Sequence, residues 1–204
     1  MRPGEAVTVT VTTVMLCGVG GQGTILAADL LAKTATASGL DVKLSEVHGM
    51  AQRGGSVDTV VRFGDCVLSP VSDPGYVDHL VAFELIEAMR RVHWVRPEGR
   101  LLVNTREISP MPVLTGDAPR PHGLQAILAD EGAIFIDSDV LACRAGSPKS
   151  ANVVLMGALS VGLDFDVEVW REVISQRVPA KTVEANLAAF ELGRQACQEG
   201  ECAL

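Results

Sequence analysis

Apolar residues fall along this chain in two alternating rhythms. Short β-branched runs with little polar interruption are followed by longer stretches in which apolar positions recur every three or four residues. The first run, Val7 to Cys17, ends in Val14-Met15-Leu16-Cys17, apolar without alternation, as expected of a central parallel strand covered on both faces. From Gly23 to Ser38 the spacing of Ile25, Ala28, Leu31, Ala32 and Ala35 predicts a helix, with Gly39 as its stop. Strands are predicted at Val42–Val47, Ser56–Phe63, His79–Phe83, Leu101–Val103 and Ala133–Ile136. Between them the pattern predicts helices at Glu84–Val95, Leu124–Asp130 and Asp139–Ala145, the first closed by Pro97-Glu98-Gly99. Ile108 to His122 holds four of the ten prolines and so reads as an irregular crossover. From Asn152 the signal is helical throughout: Asn152–Val161, Val167–Arg177 and Thr182–Cys197.

Strands alternating with helices imply an α/β fold, a Rossmann-like, mostly parallel sheet flanked by helices with a helical C-terminal third. We expect residues 1–204 to form a single domain, its helical part spanning about 150–204. No apolar run approaches the ~20 residues needed to span a bilayer, and Met1-Arg2-Pro3-Gly4-Glu5 leads into a strand pattern and not the core of a signal peptide. A soluble, cytoplasmic protein is expected, with no membrane partner. Lys and Arg total 17 against 25 Asp and Glu, a formal charge of −8, and the basic residues are scattered. That argues against a nucleic-acid partner, whose phosphates need clustered cations.

Two glycine-rich turns carry the candidate chemistry. Gly18-Val19-Gly20-Gly21-Gln22-Gly23 follows the first strand and opens the first helix. In that context G-x-G-x-x-G fits a dinucleotide fingerprint, with Glu46 placed where a carboxylate binds ribose. It fits equally a tight strand–helix junction in which glycine permits close packing. Gln22 is unusual in such a fingerprint, because its amide can reach a ligand or a neighbouring subunit. The second turn, His48-Gly49-Met50-Ala51-Gln52-Arg53-Gly54-Gly55, joins two strands yet holds far more side-chain chemistry than a connection requires. Arg53 presents a planar fork suited to phosphate or carboxylate, and its glycine neighbours leave room for a ligand. The candidate cofactor-binding or partner-facing residues are therefore Gly18, Gly20, Gly21, Gln22, Gly23, His48, Gly49, Met50, Gln52, Arg53, Gly54 and Gly55. No catalytic residue and no metal ligand is assigned.

The remaining chemistry is sparse. Cys17, Cys66, Cys143, Cys197 and Cys202 are widely spaced with no C-x-x-C, so no zinc site or iron–sulfur cluster is expected within the chain. No Gly-Lys-Ser/Thr, no Gly-x-Ser-x-Gly and no thiamine-type Gly-Asp-Gly occurs. A free-standing NAD-binding oxidoreductase and a nucleotide-binding module remain alternatives at this level.

Taken together, the two turns resemble those of the gamma-type subunits of the 2-oxoacid:ferredoxin oxidoreductases. The likeness continues through Val81-Ala82-Phe83-Glu84 with Glu87-Ala88, Val103-Asn104-Thr105 and Asn152-Val153-Val154 with Met156-Gly157-Ala158, and so runs from about Val14 to Phe190. The His-Gly-Met-Ala-Gln-Arg-Gly-Gly form is similar to the small (beta) subunits of the indolepyruvate branch. The resemblance implies a subunit inactive alone, whose large alpha partner bears thiamine diphosphate and iron–sulfur clusters. It implies oxidative decarboxylation of an aryl pyruvate, with ferredoxin accepting electrons through the complex and coenzyme A as co-substrate. By the same resemblance the small subunit closes the active-site region.

Overall fold

The computed structural model describes residues 10–49 and 54–198. Six strands form one sheet in the order β2-β3-β1-β4-β5-β6: β1 (Val11–Val19), β2 (Asp41–His48), β3 (Ser56–Gly64), β4 (Val77–Ala82), β5 (Val95–Asn104) and β6 (Ala133–Ile136). The predicted central strand is in place, and Val14, Met15, Leu16 and Cys17 are all buried. Alternate side chains of β1 enter two separate cores, because a strand sends successive side chains to opposite faces. Val14 and Leu16 belong to the larger core, Met15 and Cys17 to the smaller.

The larger core lies under α1 (Thr24–Ala37), with α5 (Ser138–Arg144), α6 (Ala151–Ser160), α7 (Val167–Arg177) and α8 (Val183–Gln198) contributing. Trp170 of α7 and Phe190 of α8 are fully buried there, their ring centroids 5.7 Å apart. Helices α6 and α8 cross with their backbones almost touching. A Cβ on Gly157 would sit 2.0 Å from the Phe190 carbonyl oxygen, and one on Gly193 would sit 2.0 Å from that of Val154. The smaller core lies under α2 (Leu85–Arg91) and α4 (Leu124–Asp130). A four-residue helix, α3 (Met111–Leu114), interrupts the proline-rich crossover.

One predicted feature is refined and two are corrected. The sheet is mostly parallel as expected, with β1, β4, β5 and β6 parallel; its exception is β3, which runs antiparallel to both β1 and β2. The cause is that β2 and β3 are joined as a hairpin, which needs no crossover helix. Pro97-Glu98-Gly99 does not close a turn before the fifth strand but lies within it. Glu98 adopts φ 67° there, and the pairing of β5 with β4 shifts between Val77 and His79, so the segment is an irregularity inside a strand. Helix α2 ends at Arg91 and tightens into a single 3₁₀ turn, Val92–Trp94, instead of running on to Val95. The first residues of the predicted N-terminal strand, Val7 to Val9, lie outside the described residues.

Candidate functional site

The first glycine turn is shaped by what packs into it. A Cβ on Gly18 would meet Gln22 Oε1 at 2.8 Å and Phe83 Cβ at 2.9 Å, so the chain tolerates only hydrogen there. Gly23, at φ 84°, caps α1 in a left-handed conformation that side-chain-bearing residues avoid, and its missing Cβ makes room for Asn152. Asn152 Nδ2 donates to the Gly23 carbonyl at 3.2 Å. Gln22 turns inward as well. The last direct bond between β1 and the β4 end is Phe83 N–H to Cys17 O at 2.8 Å. One step further the gap is spanned by the Gln22 amide: Oε1 accepts the Val19 N–H at 2.6 Å and Nε2 donates to Phe83 O at 3.1 Å. A side chain thus substitutes for the next rung of the ladder.

The second turn is brought to the first by the hairpin. Val19 pairs with Ser56 and Val57 with His48, so Gly49 and Gly54-Gly55, the described ends of the connection, sit at the carboxyl end of β1. There Gly20 N–H donates to Gly55 O at 2.8 Å and Gly54 N–H donates to Gly20 O at 3.3 Å. The two turns are therefore one backbone-paired surface. His48 is exposed, its Nδ1 3.0 Å from the Gly49 carbonyl, and among the described residues nothing lies within 4 Å of where a Gly49 Cβ would stand. Gly21, at φ 104°, is equally open. Met50, Gln52 and Arg53 lie outside the described residues.

Between the turns and α1 opens a cavity of about 490 Å³ lined by Gly20, Gly21, Gly23, Thr24, Ile25, Glu46, His48 and Val57. The N-terminus of α1 has no side-chain cap and no acidic residue in its first turn. Its partial positive charge and free amides are suited to an anionic group, with Glu46 on the opposite wall restricting where that group can sit. A second cavity of about 390 Å³ lies beyond Gln22, bordered by Asn104, Arg106, Ser138, Lys149 and Asn152. A third, about 460 Å³, holds His79 and the loop residues Asp65 and Asp164. His79 has its pKa lowered to about 4 by burial, with Arg100 adding to the effect, so the ring is neutral.

Under the turns, on the α2 side, is a polar network that sequence reasoning missed. Glu84, 1% exposed, caps α2 by accepting the N–H groups of Ile86 and Glu87, and that of Ile108 as well. Burial raises its pKa. Glu87, 4% exposed, accepts from Ser56 Oγ at 2.6 Å and pairs with Arg90 at 3.1 Å. Arg91 donates to Asp58 Oδ2 at 2.9 and 2.5 Å. The signals in the sequence were an acidic residue opening a predicted helix, a capping pattern, and the place of Glu84 and Glu87 in the motifs that carry the resemblance. Cys17 is sealed beneath this network. Burial first, then the carboxylates of Asp58 and Glu87, push its thiol well above the usual value, so it is not a nucleophile. Among the described residues no group of His, Cys, Asp and Glu has metal-binding geometry, and no helix is long and apolar enough to cross a membrane.

A family model described as pyruvate ferredoxin/flavodoxin oxidoreductase matches residues 13–196. The indolepyruvate oxidoreductase subunit IorB of Thermococcus kodakarensis is 40% identical over 193 residues, covering 91% of this chain and 96% of the relative. Its counterpart in Pyrococcus horikoshii is 39% identical over the same shares of each chain. Among solved structures, the gamma subunit of a keto/oxoacid ferredoxin oxidoreductase from Geobacter sulfurreducens superposes with a TM-score of 0.65 at 25% identity, covering 89% of this chain and 95% of that one.

Proposed function

The chain belongs to the pyruvate ferredoxin/flavodoxin oxidoreductase family, and from that premise we propose that it is the small subunit of an indolepyruvate-type enzyme, active only with a large partner. It is homologous to IorB subunits and to the gamma subunits of 2-oxoacid:ferredoxin oxidoreductases. In this reading the partner bears thiamine diphosphate and iron–sulfur clusters, and an aryl pyruvate is decarboxylated there. Electrons pass to ferredoxin, and the acyl group leaves as a coenzyme A thioester. The described cysteines do not suit a cluster: Cys17 and Cys197 are buried, Cys66 and Cys143 are exposed, and no metal-binding group joins them. No step of the reaction is therefore assigned to a cofactor on this chain.

The observation that supports this reading best is the backbone pairing of Gly20 with Gly54 and Gly55. It joins the described parts of two ligand-type turns into one open edge. The chain's part is then to present that edge, with the α1 amides and Arg53 receiving the anionic groups of coenzyme A or an acidic patch of the partner. Gly18, Gly21, Gln22 and Gly23 shape the first wall; His48, Gly49, Met50, Gln52, Gly54 and Gly55 belong to the second. A cytoplasmic site of action accords with this reading. The NAD-binding alternative is not supported. A dinucleotide fold places the ribose-binding carboxylate on the strand next to β1, whereas β3 separates β1 from the strand bearing Glu46.

The test is reconstitution. Aryl-pyruvate-dependent reduction of ferredoxin or a viologen dye is measured with this chain alone, with the large subunit alone and with both. We expect activity only from the pair. Full activity of the large subunit alone would overturn the proposal.

A further inference from the structure

We propose that Glu87 is a positioning residue that fixes Gly54-Gly55, the described end of the second glycine turn, against the first turn. Helix α2 otherwise turns Leu85, Ile86 and Ala88 to the sheet, and Glu87 is buried among them. An apolar side chain would serve packing better, since a buried carboxylate is stabilising only when its partners are in place. Here the partners are directional. Oε1 is held by Arg90 of the same helix, which leaves Oε2 aimed at the Ser56 hydroxyl. Ser56 is the first residue of β3, directly after Gly54-Gly55. Two residues on, Arg91 grips Asp58 in the same way. Helix α2 thereby clamps the start of β3 from below, while Gly20 holds Gly54 and Gly55 through the main chain. Gly54 sits at φ 75°, and among the described residues nothing lies within 4 Å of where its Cβ would stand, so packing there does little to hold it. Without the Ser56 anchor, the described end of the turn keeps its two backbone bonds to Gly20 and, further along β3, the Arg91–Asp58 pair.

The inference rests on the coenzyme A reading only in its consequence for catalysis, so its test reads position and turnover separately. Ser56→Ala, Ser56→Thr and Glu87→Gln are prepared in the full chain assembled with its large partner. Amide hydrogen exchange of the segments around 18–23 and 54–60 reports position, and the segment around 133–136 in β6 serves as the control. We expect Ser56→Ala and Glu87→Gln to speed exchange at both turns but not in β6. In Ser56→Thr, which keeps the hydroxyl, exchange stays near wild type. Loss of one charge-assisted bond predicts a rise of about tenfold in KM for coenzyme A with kcat nearly unchanged. Unchanged exchange at the turns in both variants overturns the proposal. Faster exchange throughout the chain also overturns it, because Glu87 then serves only general stability. Faster exchange at the turns with an unchanged KM upholds the positioning and refutes the coenzyme A reading instead.

Discussion

Replacing Gln22 with alanine separates the two uses its amide could have. The amide spans Val19 N–H and Phe83 O, at 2.6 and 3.1 Å. Phe83 O keeps a second donor, Asn104 Nδ2 at 3.2 Å, so its loss is small. The Val19 N–H is less fortunate. Its residue is 9% exposed, and the donor points away from β3 into the gap that the amide fills. Stranding a donor of this kind costs about 1–3 kcal/mol, the lower end if water reaches the half-buried space. For a domain of this size that is a fall in Tm of roughly 3–10 °C. Gln22→Glu offers a sign test. Its carboxylate can still accept from Val19 but faces Phe83 O without a proton, so it too destabilises at neutral pH. Its deficit relative to wild type should shrink as pH falls through the carboxyl range near about 4, where a protonated Glu can donate again. Urea unfolding of the full-length chain at several pH values measures both variants. A wild-type midpoint for Gln22→Ala, together with impaired use of coenzyme A by the complex, would show that the amide serves a ligand.

Arg53→Ala should leave unfolding unchanged but weaken coenzyme A use or subunit assembly by about ten- to a hundredfold, with partial rescue by Arg53→Lys. Steady-state kinetics and a subunit titration check this; wild-type values in both return Arg53 to a solvated charge. His79 binds its proton less readily folded (about 4) than free (6.5), so the unfolded state holds more protons between those values. Its contribution, about 3 kcal/mol at most, is complete above pH 6.5 and is lost as pH falls toward 4. Urea unfolding across that window should show a shallower limb in His79→Gln than in wild type, and equal slopes would refute the assignment. Gly157→Ala places a methyl 2.0 Å from a carbonyl oxygen that cannot yield. It should cost about 1–3 kcal/mol or more as α6 and α8 part, and an unshifted thermal transition would refute that crossing.

Element identity was legible because the periods differ. Leu124–Asp130, Ala133–Ile136 and Val167–Arg177 coincide with their predicted bounds, each a run whose rhythm is broken by a glycine, an acid or a proline. The mostly parallel sheet was legible, but the reversed direction of β3 was not. Ser56–Phe63 alternates in burial as either a parallel or an antiparallel neighbour would, and only the length of the 49–55 connection hints at a hairpin. The site divided in the same way. That the two turns form one edge followed from their places after strands. That Gln22 faces inward did not, because it depends on the β4 end at Phe83, sixty-one residues away. The Glu87–Ser56 contact was hidden for the same reason, joining residues thirty-one positions apart that no local period relates.

The two faces of the sheet close at different times during synthesis. The α2 face is complete once α4 and β6 have emerged, by Ile136. The α1 face is built on Val14, Leu16, Leu31, Val61 and Phe63, yet its cover of Val153, Leu159, Trp170, Ile174 and Phe190 comes after residue 150. At translation speeds of about 5–20 residues per second, those last ~50 residues take roughly 3–10 s to appear. For that interval a half-built chain presents a broad oily flank to solvent. Ribosome-associated holdases, slow codons and premature termination should therefore act on this protein most strongly through its final quarter, far along the chain from its two glycine turns.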